Sequence, residues 1–180
     1  MMARRLLFTA PLAGVVGGAG AFYAYMGLKR DPRGVPSVLI GRAPPEFDLP
    51  VLADQAARLT PAALPRGRPV IVNFFASWCP PCRIEHPQMM RLSREGVAMI
   101  GIAFKDRPED TQRFLGELGD PFRTVGLDQS GRTAIEWGVY GVPESYFVDP
   151  AGIVRWRYAG AITPELLEAE LRPLLRRYRA

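Results

Sequence analysis

The chain has 180 residues, of which 48% are apolar and 23% are charged. These values are typical of one globular domain, and they exclude a disordered polyelectrolyte, a collagen-like repeat and a disulfide-dense miniprotein. The two cysteines can form one disulfide or part of one metal site. The single histidine excludes a metal centre with several histidine ligands from one chain.

The formal net charge of +5 is distributed unevenly. Four of the 23 basic residues lie in the first 30 residues, which contain no acid, so 19 bases face 18 acids from Asp31 onward. The body of the chain is therefore nearly neutral. It has no basic stripe with interleaved aromatic residues, and a nucleic-acid partner is not predicted.

Residues 6–28 form a run of 23 uncharged residues behind Arg4 and Arg5. At about 1.5 Å per residue, a helix of this length crosses a hydrocarbon core of roughly 30 Å. We expect a signal anchor, a single transmembrane helix, over 1–30. A proline- and glycine-rich tether is expected over 31–45, and a folded domain over 46–180. The alternative for the first segment is a signal peptide cleaved at the small residues 19–21.

Hydrophobic patterning predicts alternating strands and helices along the rest of the chain. Strands are predicted over 47–51, 70–75, 97–104, 122–127, 145–148 and 153–158. Helices are predicted over 80–94, 108–118, 133–137 and 164–175, with a further short helix within 55–64. The fold class is α/β, a mixed central sheet flanked by helices.

Two cysteines stand where the buried strand 70–75 turns into the helix from residue 80, in the sequence Trp78-Cys79-Pro80-Pro81-Cys82. Cys79 is predicted to be the exposed nucleophile, because a helix N-terminus favours a thiolate. Cys82 lies one turn later, close enough to form a disulfide and to resolve a mixed disulfide. Pro80 and Pro81 restrict the loop and help to set the redox balance of the pair.

Two other interpretations of this pair are weaker. A structural disulfide across three residues constrains little chain entropy and stabilises little. A metal site built from Cys79, Cys82 and His86 lacks a fourth ligand of the same kinds. A redox-active disulfide Cys79–Cys82, with no metal and no cofactor, is therefore predicted.

A second candidate segment, 138–144, carries a Val-Pro bond directly before a predicted strand. Pro143 is an equal candidate for a cis peptide and for an ordinary trans turn proline. If this segment faces the cysteine loop, the backbone near Val142 can pair with an extended substrate. Tyr140 and Val142 are the predicted substrate-binding residues.

Residues 39–50, 73–87, 137–144 and 149–152 carry a family resemblance. The chain resembles thioredoxin-fold proteins and, more closely, the membrane-anchored thiol:disulfide interchange proteins of c-type cytochrome biogenesis (the CcmG/DsbE family). The likeness runs from about residue 35 to the end and includes the anchor. The Arg-x-Glu-His-Pro sequence after Cys82 and the segment ending in Pro143-Glu144 are its most specific parts.

The resemblance implies a reductant that keeps the haem-attachment cysteines of apocytochrome c reduced, acting on apocytochrome c or haem-ligation proteins. It implies re-reduction by a membrane thiol reductant. It also implies a single-pass protein of the bacterial inner membrane, with its domain in the periplasm. Pro143 is expected to be cis, and Glu85 and Glu144 are expected near the active site.

Thioredoxins carry a buried aspartate six residues before the first active-site cysteine, and Asn73 stands at that position here. We hypothesise that Glu85 takes part of that role, as a proton acceptor or as a brake on thiolate formation. The alternative is a solvated acid on the helix face. Glu144 is interpreted as an acid that repels acidic partners, or else as an exposed acid of an edge strand.

Two further residues near the cysteines have weaker predictions. His86 is expected on the solvent side of the helix rather than as a base. Trp78 is expected to shield the disulfide and to form part of the partner surface, with simple packing as the alternative.

Three other functions remain as alternatives. One is a periplasmic disulfide oxidoreductase of broader specificity, acting as an oxidant or isomerase. A peroxidase is less well supported, because both cysteines belong to one CxxC motif. The last is a peptide-binding module without turnover.

Overall fold

The computed structural model describes residues 37–178. The predicted anchor over 1–30 and the start of the predicted tether, 31–36, lie outside the described residues. Within 37–178, none of the helices has the length and the apolar character needed to span a membrane.

A five-stranded mixed sheet forms the centre of the domain, in the order β5-β4-β3-β6-β7. Strands β3, β4 and β5 run parallel, whereas β6 and β7 are antiparallel to their neighbours. The strand bounds are β3 Val70–Phe75, β4 Ala98–Phe104, β5 Thr124–Asp128, β6 Glu144–Val148 and β7 Val154–Ala159. The predicted mixed sheet of a thioredoxin-like fold is confirmed, with strand ends shifted by one or two residues.

The helices lie where the periodicity predicted them. They are α1 Pro80–Arg94, α2 Pro108–Leu118, α3 Arg132–Trp137 and a last helix, α4, over 164–177. Thr163 caps α4, since its hydroxyl accepts from the backbone N–H of Leu166 at 3.2 Å. The middle of α4, Leu167–Leu171, is π-helical. α1 continues through Pro87 to its predicted end.

All six residues of β3 are buried, because this strand has a neighbour on each side and packing on both faces. On one face, Phe74 packs edge-on against Trp137 and Tyr146, with ring centroids 5.4 and 5.9 Å away. On the other face, Ile71 belongs to a cluster with residues of α1 and α4. The sheet therefore holds the carboxyl end of β3, and the cysteines that follow, on a rigid base.

The short helix predicted within 55–64 is reduced to the 3₁₀ helix Pro61–Ala63, and the residues before it are not helical. A turn at Asp54 leads instead into β2 (Arg58–Leu59), which pairs antiparallel with β1 (Leu49–Pro50). Leu59 is buried in the core, and a 3₁₀ helix, Pro61–Ala63, follows. Burial of one apolar side chain in an extended segment outweighed the local helical pattern.

The boundary predicted at residue 46 is also corrected. Gly41 donates a backbone hydrogen bond to Val154 of β7 at 2.8 Å, and Val154 donates one to Arg42 at 2.9 Å. The side chain of Leu39 is buried in the core. The second half of the predicted tether therefore belongs to the domain.

Candidate active site

The disulfide Cys79–Cys82 closes the first turn of α1. Cys79 is the N-cap residue, and its Sγ accepts a 3.2 Å hydrogen bond from the backbone N–H of Cys82. Pro80 and Pro81 have no backbone N–H, so Cys82 supplies the first free donor of the helix. That N–H reaches the sulfur of Cys79 as well as its carbonyl oxygen, at 3.1 Å, and together with the helix dipole it favours a thiolate in the reduced protein.

The predicted exposure of Cys79 is wrong for the oxidised protein. Only 2% of Cys79 is exposed, and Cys82 is equally buried. The backbone carbonyl oxygen of Val142 lies 3.4 Å from Sγ of Cys79 and helps to cover it. A partner must therefore reach the sulfur alongside this carbonyl.

The Val142–Pro143 peptide bond is cis, one of the two arrangements considered for it. Pro143 is buried, and its carbonyl accepts from Gly160 at the end of β7 at 2.9 Å. Val142 is half-buried beside the disulfide. The structure therefore brings Val142, and Pro143 with it, to the cysteines, which was the condition for pairing of this backbone with a substrate.

Tyr140 and Trp78 present large apolar surfaces to solvent, with 75% and 56% of each residue exposed. The indole N–H of Trp78 donates to the carbonyl of Lys105 at 3.2 Å, which fixes the ring beside the active-site turn. Pro80, Pro81 and Ile84 are exposed as well. These side chains are available to a partner, and their role in binding stays a prediction.

Glu85 is buried behind the disulfide and is not a solvated helix-face acid. Its Oε1 accepts from Asn73 Nδ2 at 2.9 Å, and its Oε2 accepts from the backbone N–H of Ile162 at 3.0 Å. Burial raises the pKa of this carboxyl to about 7, although both hydrogen bonds oppose the shift. Cys82 and Glu85 line the same narrow gap, which has no room for a water molecule.

His86 is also buried, so its predicted position on the helix surface is wrong. Its Nε2 donates to the carbonyl of Gly119, just beyond α2, at 2.9 Å, and its ring packs edge-on against Phe114. Burial lowers the pKa of His86, which favours the neutral ring. The sequence analysis missed the burial of His86 because its hydrogen-bond partner, Gly119, lies 33 residues away in the chain.

Glu144 belongs to an inner strand and is fully buried, so neither interpretation of it as a surface acid holds. Its Oε1 accepts from Arg157 Nε and from the Tyr146 hydroxyl, both at 2.6 Å. Its Oε2 accepts from the backbone N–H of Tyr140 at 3.1 Å. Glu144 therefore positions the segment that carries Tyr140 and Val142, rather than meeting a partner directly.

Arg157 is a site residue that the sequence analysis missed. It lies opposite Tyr146 in the β6–β7 register, and its guanidinium carbon lies 5.0 Å from the ring centroid of Tyr140. Its side chain is almost fully buried. The sequence did contain a signal for Arg157. It is a charged residue in the middle of a predicted hairpin strand, close to an acid on the partner strand.

Comparisons with known proteins agree with this geometry. The Redoxin family model matches residues 40–173. The thiol:disulfide interchange protein HelX of Rhodobacter capsulatus is 40% identical over 174 residues, covering 97% of each chain. DsbE of Pseudomonas aeruginosa is 41% identical over 154 residues, covering 86% of this chain and 85% of that protein.

Solved structures give the same result. A thiol:disulfide interchange protein DsbE from Chlorobium tepidum superimposes with a TM-score of 0.62 at 28% identity, covering 75% of this chain and 95% of that one. The fold, the CxxC disulfide at a helix N-terminus and these relatives lead to one conclusion. The chain belongs to the Redoxin family and, within it, to the DsbE/HelX thiol:disulfide interchange proteins, which makes it a protein disulfide oxidoreductase.

Proposed function

We propose that this oxidoreductase works as a dithiol donor in c-type cytochrome maturation, reducing disulfides in apocytochrome c or in haem-ligation proteins. Its domain would face the bacterial periplasm, held at the inner membrane by residues 1–30. A membrane thiol reductant would restore its dithiol form. The family resemblance supports the cytochrome assignment, and the charge flanking residues 6–28 supports the anchor.

The observation that carries the proposal is the position of Val142 beside Cys79. Its carbonyl lies 3.4 Å from the sulfur, at a half-buried segment next to the cis Pro143. An extended peptide could pair with this backbone and place its own sulfur in line with Cys79. The arrangement suits a substrate cysteine in an unfolded chain, as an apocytochrome is before haem attachment.

The exchange takes place in two thiolate displacements. The Cys79 thiolate attacks one sulfur of the substrate disulfide, forms a mixed disulfide and releases the other substrate sulfur as a thiolate. The Cys82 thiolate then attacks Sγ of Cys79, which closes the Cys79–Cys82 disulfide and releases the second substrate thiol. The substrate gains two electrons, and the protein loses two.

Glu85 is suited to receive the proton that Cys82 must lose before the second displacement. Both side chains are buried in the same gap, so bulk water is excluded from that step. A carboxyl whose pKa is about 7 can accept a proton and release it again near neutral pH. In this proposal Glu85 serves the resolving cysteine, while the helix N-terminus serves Cys79.

A trapping experiment tests the proposal. In Cys82→Ser the second displacement is blocked, so Cys79 should remain joined to its natural partner in the periplasm. We expect mass spectrometry to identify apocytochrome c, linked through a haem-attachment cysteine, or a haem-ligation protein. The double variant Cys79→Ser/Cys82→Ser is the control for non-covalent carry-over.

Two results would decide against the cytochrome assignment. Mixed disulfides with many unrelated periplasmic proteins would indicate a broad-specificity oxidoreductase. Retention of cytochrome c maturation by Cys79→Ala would indicate a peptide-binding role without turnover.

A further inference from the structure

Asp106, in the loop between β4 and α2, is a buried carboxylate that the chemistry described so far does not use. Its Oδ2 accepts from the backbone N–H of Ser77 at 2.7 Å, and its Oδ1 accepts from the Ser77 hydroxyl at 2.7 Å. The Thr111 hydroxyl, in the first half of α2, donates to Oδ2 at 2.9 Å. Two of the three bonds therefore hold one residue, Ser77, which lies two positions before Cys79.

Ser77 and Trp78 are the central residues of a turn that leads to the nucleophile. The turn is closed by a 3.2 Å hydrogen bond from the backbone N–H of Cys79 to the carbonyl of Ala76. Cys79 leaves the turn in an extended conformation and caps α1. The position of Sγ relative to the Cys82 N–H therefore depends on the geometry of this turn.

Both central residues of the turn are bound to the same short loop. Asp106 holds Ser77, and the carbonyl of the preceding residue, Lys105, accepts from the Trp78 indole. Lys105 has φ of 46°, in the left-handed region that a non-glycine residue rarely adopts. This unfavourable backbone conformation is held by the contacts with the turn and by the hydrogen bond from the Lys105 N–H to the carbonyl of Asp128 at 2.9 Å.

We propose that Asp106 is a positioning residue for the thiol chemistry of Cys79. Through its two hydrogen bonds to Ser77 it fixes the turn that places Sγ of Cys79 against the N–H of Cys82. This inference builds on the thiol exchange at Cys79 but not on the identity of the substrate. Its test therefore uses a small alkylating reagent and is independent of the cytochrome assignment.

The experiment measures the rate of Cys79 alkylation by iodoacetamide against pH, in the full-length chain with Cys82→Ser as a single-thiol background. This background keeps the backbone N–H at position 82. We expect Asp106→Ala to move the midpoint of the profile upward by roughly half a unit, and so to slow alkylation about threefold at pH values well below both midpoints. The physical reason is a looser turn and a weaker hydrogen bond to the thiolate.

Asp106→Asn is the conservative variant that separates positioning from charge. Its amide oxygen can accept from the Ser77 N–H and from Thr111, and its NH₂ group can donate to the Ser77 hydroxyl after that hydroxyl rotates. We expect its profile to coincide with that of the parent. A profile displaced as far as that of Asp106→Ala, in either direction, would overturn the proposal.

Thr111→Val is the matched control, because it removes the third bond to the same carboxylate without touching the turn. We expect it to lower the free energy of unfolding and to leave the profile unchanged. If Asp106→Ala does not fold, Ser77→Ala removes one of the two bonds to the turn and should give a smaller upward shift. If Asp106→Ala folds and its profile is not shifted, the inference is contradicted. If Ser77→Ala has to replace it, an unshifted profile of Ser77→Ala has the same meaning. A shift in Thr111→Val as large as that in Asp106→Ala also contradicts the inference.

Discussion

Nδ2 of Asn73 donates a 2.9 Å hydrogen bond to Oε1 of Glu85 across the buried interface between β3 and α1. The same amide donates to the hydroxyl of Ser145 on β6, also at 2.9 Å. Thioredoxins place an acid at the position of Asn73. Here the strand supplies a neutral donor, and the helix supplies the acid.

The first prediction concerns stability and pH. Burial raises the pKa of Glu85 from its ordinary value of 4.5 to about 7, so between these values the folded protein keeps a proton that the unfolded chain releases. The Glu85 contribution to the free energy of unfolding therefore falls as pH rises through this window, by roughly 3 kcal/mol in total. Glu85→Gln should abolish that fall and be more stable than the parent at pH 8.

Urea denaturation of the oxidised protein at pH 5 and pH 8 measures this effect. His86 contributes with the opposite sign, because its pKa is lowered on folding and its protonation favours the unfolded chain. The difference between the parent and Glu85→Gln isolates Glu85. The exposed acid Glu46 provides the control, and the prediction fails if Glu46→Gln and Glu85→Gln have the same pH dependence.

The second prediction concerns the thiolate of Cys79. An ionised carboxylate in the gap behind the disulfide disfavours a second negative charge nearby. We expect Glu85→Gln to move the pH profile of Cys79 alkylation downward by roughly half a unit in the reduced protein. Peptide mass spectrometry separates Cys79 from Cys82. An unchanged profile would show that Glu85 does not act on the Cys79 thiolate.

The third prediction concerns the buried pair of Glu144 and Arg157. Arg157→Met leaves the Glu144 carboxylate buried without its guanidinium partner, and should lower the free energy of unfolding by about 3 kcal/mol. Adding Glu144→Gln should recover part of that loss, because the uncompensated charge is gone. Arg132→Met, at an exposed ion pair, should change stability by less than about 0.5 kcal/mol. A similar loss of unfolding free energy in Arg157→Met and Arg132→Met would show that the buried ion pair contributes no more to stability than the exposed one.

The fourth prediction concerns Tyr140 as a contact for the partner. Tyr140→Ala should raise the KM for an oxidised CxxCH peptide several-fold, leaving kcat within about twofold, because the exposed ring binds substrate and does not touch the sulfurs. Val38→Ala is the control, because Val38 is as exposed as Tyr140. It lies just before Gly41 and Arg42, which bond to Val154 at the end of β7 away from the active site. A fall in kcat at constant KM would contradict a binding role.

The sequence analysis predicted best where the signal was local. The apolar run of β3, the prolines that begin α1 and α2, and the place of Cys79 at a helix N-terminus each depend on a few adjacent residues. The expectation that Pro143 is cis depended instead on the family resemblance, because local spacing left cis and trans equally open.

It failed where a polar side chain finds a distant partner. Glu85 and His86 are consecutive polar residues of α1, which local patterning alone places in solvent. The comparison with thioredoxins pointed Glu85 toward the active site, and nothing corrected the expectation for His86. Their hydrogen-bond partners, Ile162 and Gly119, lie 77 and 33 residues away. Asp106 was missed for the same reason, since its link to Ser77 spans 29 residues. Burial of such groups depends on tertiary packing, which one sequence does not specify locally.

The hydrogen bond from the Ile162 N–H to Glu85 links the segment just before the C-terminal helix to the redox centre. α4 starts two residues after this donor, so its docking on the sheet keeps Ile162 in place. Proteolysis or truncation that released α4 would take away one of the two donors to the carboxylate and would also admit water to it. Because burial is the larger influence on this carboxyl, the pKa of Glu85 would fall back toward its ordinary value. Trimming the chain at its C-terminus would then alter proton transfer at the disulfide while leaving both cysteines and their loop intact.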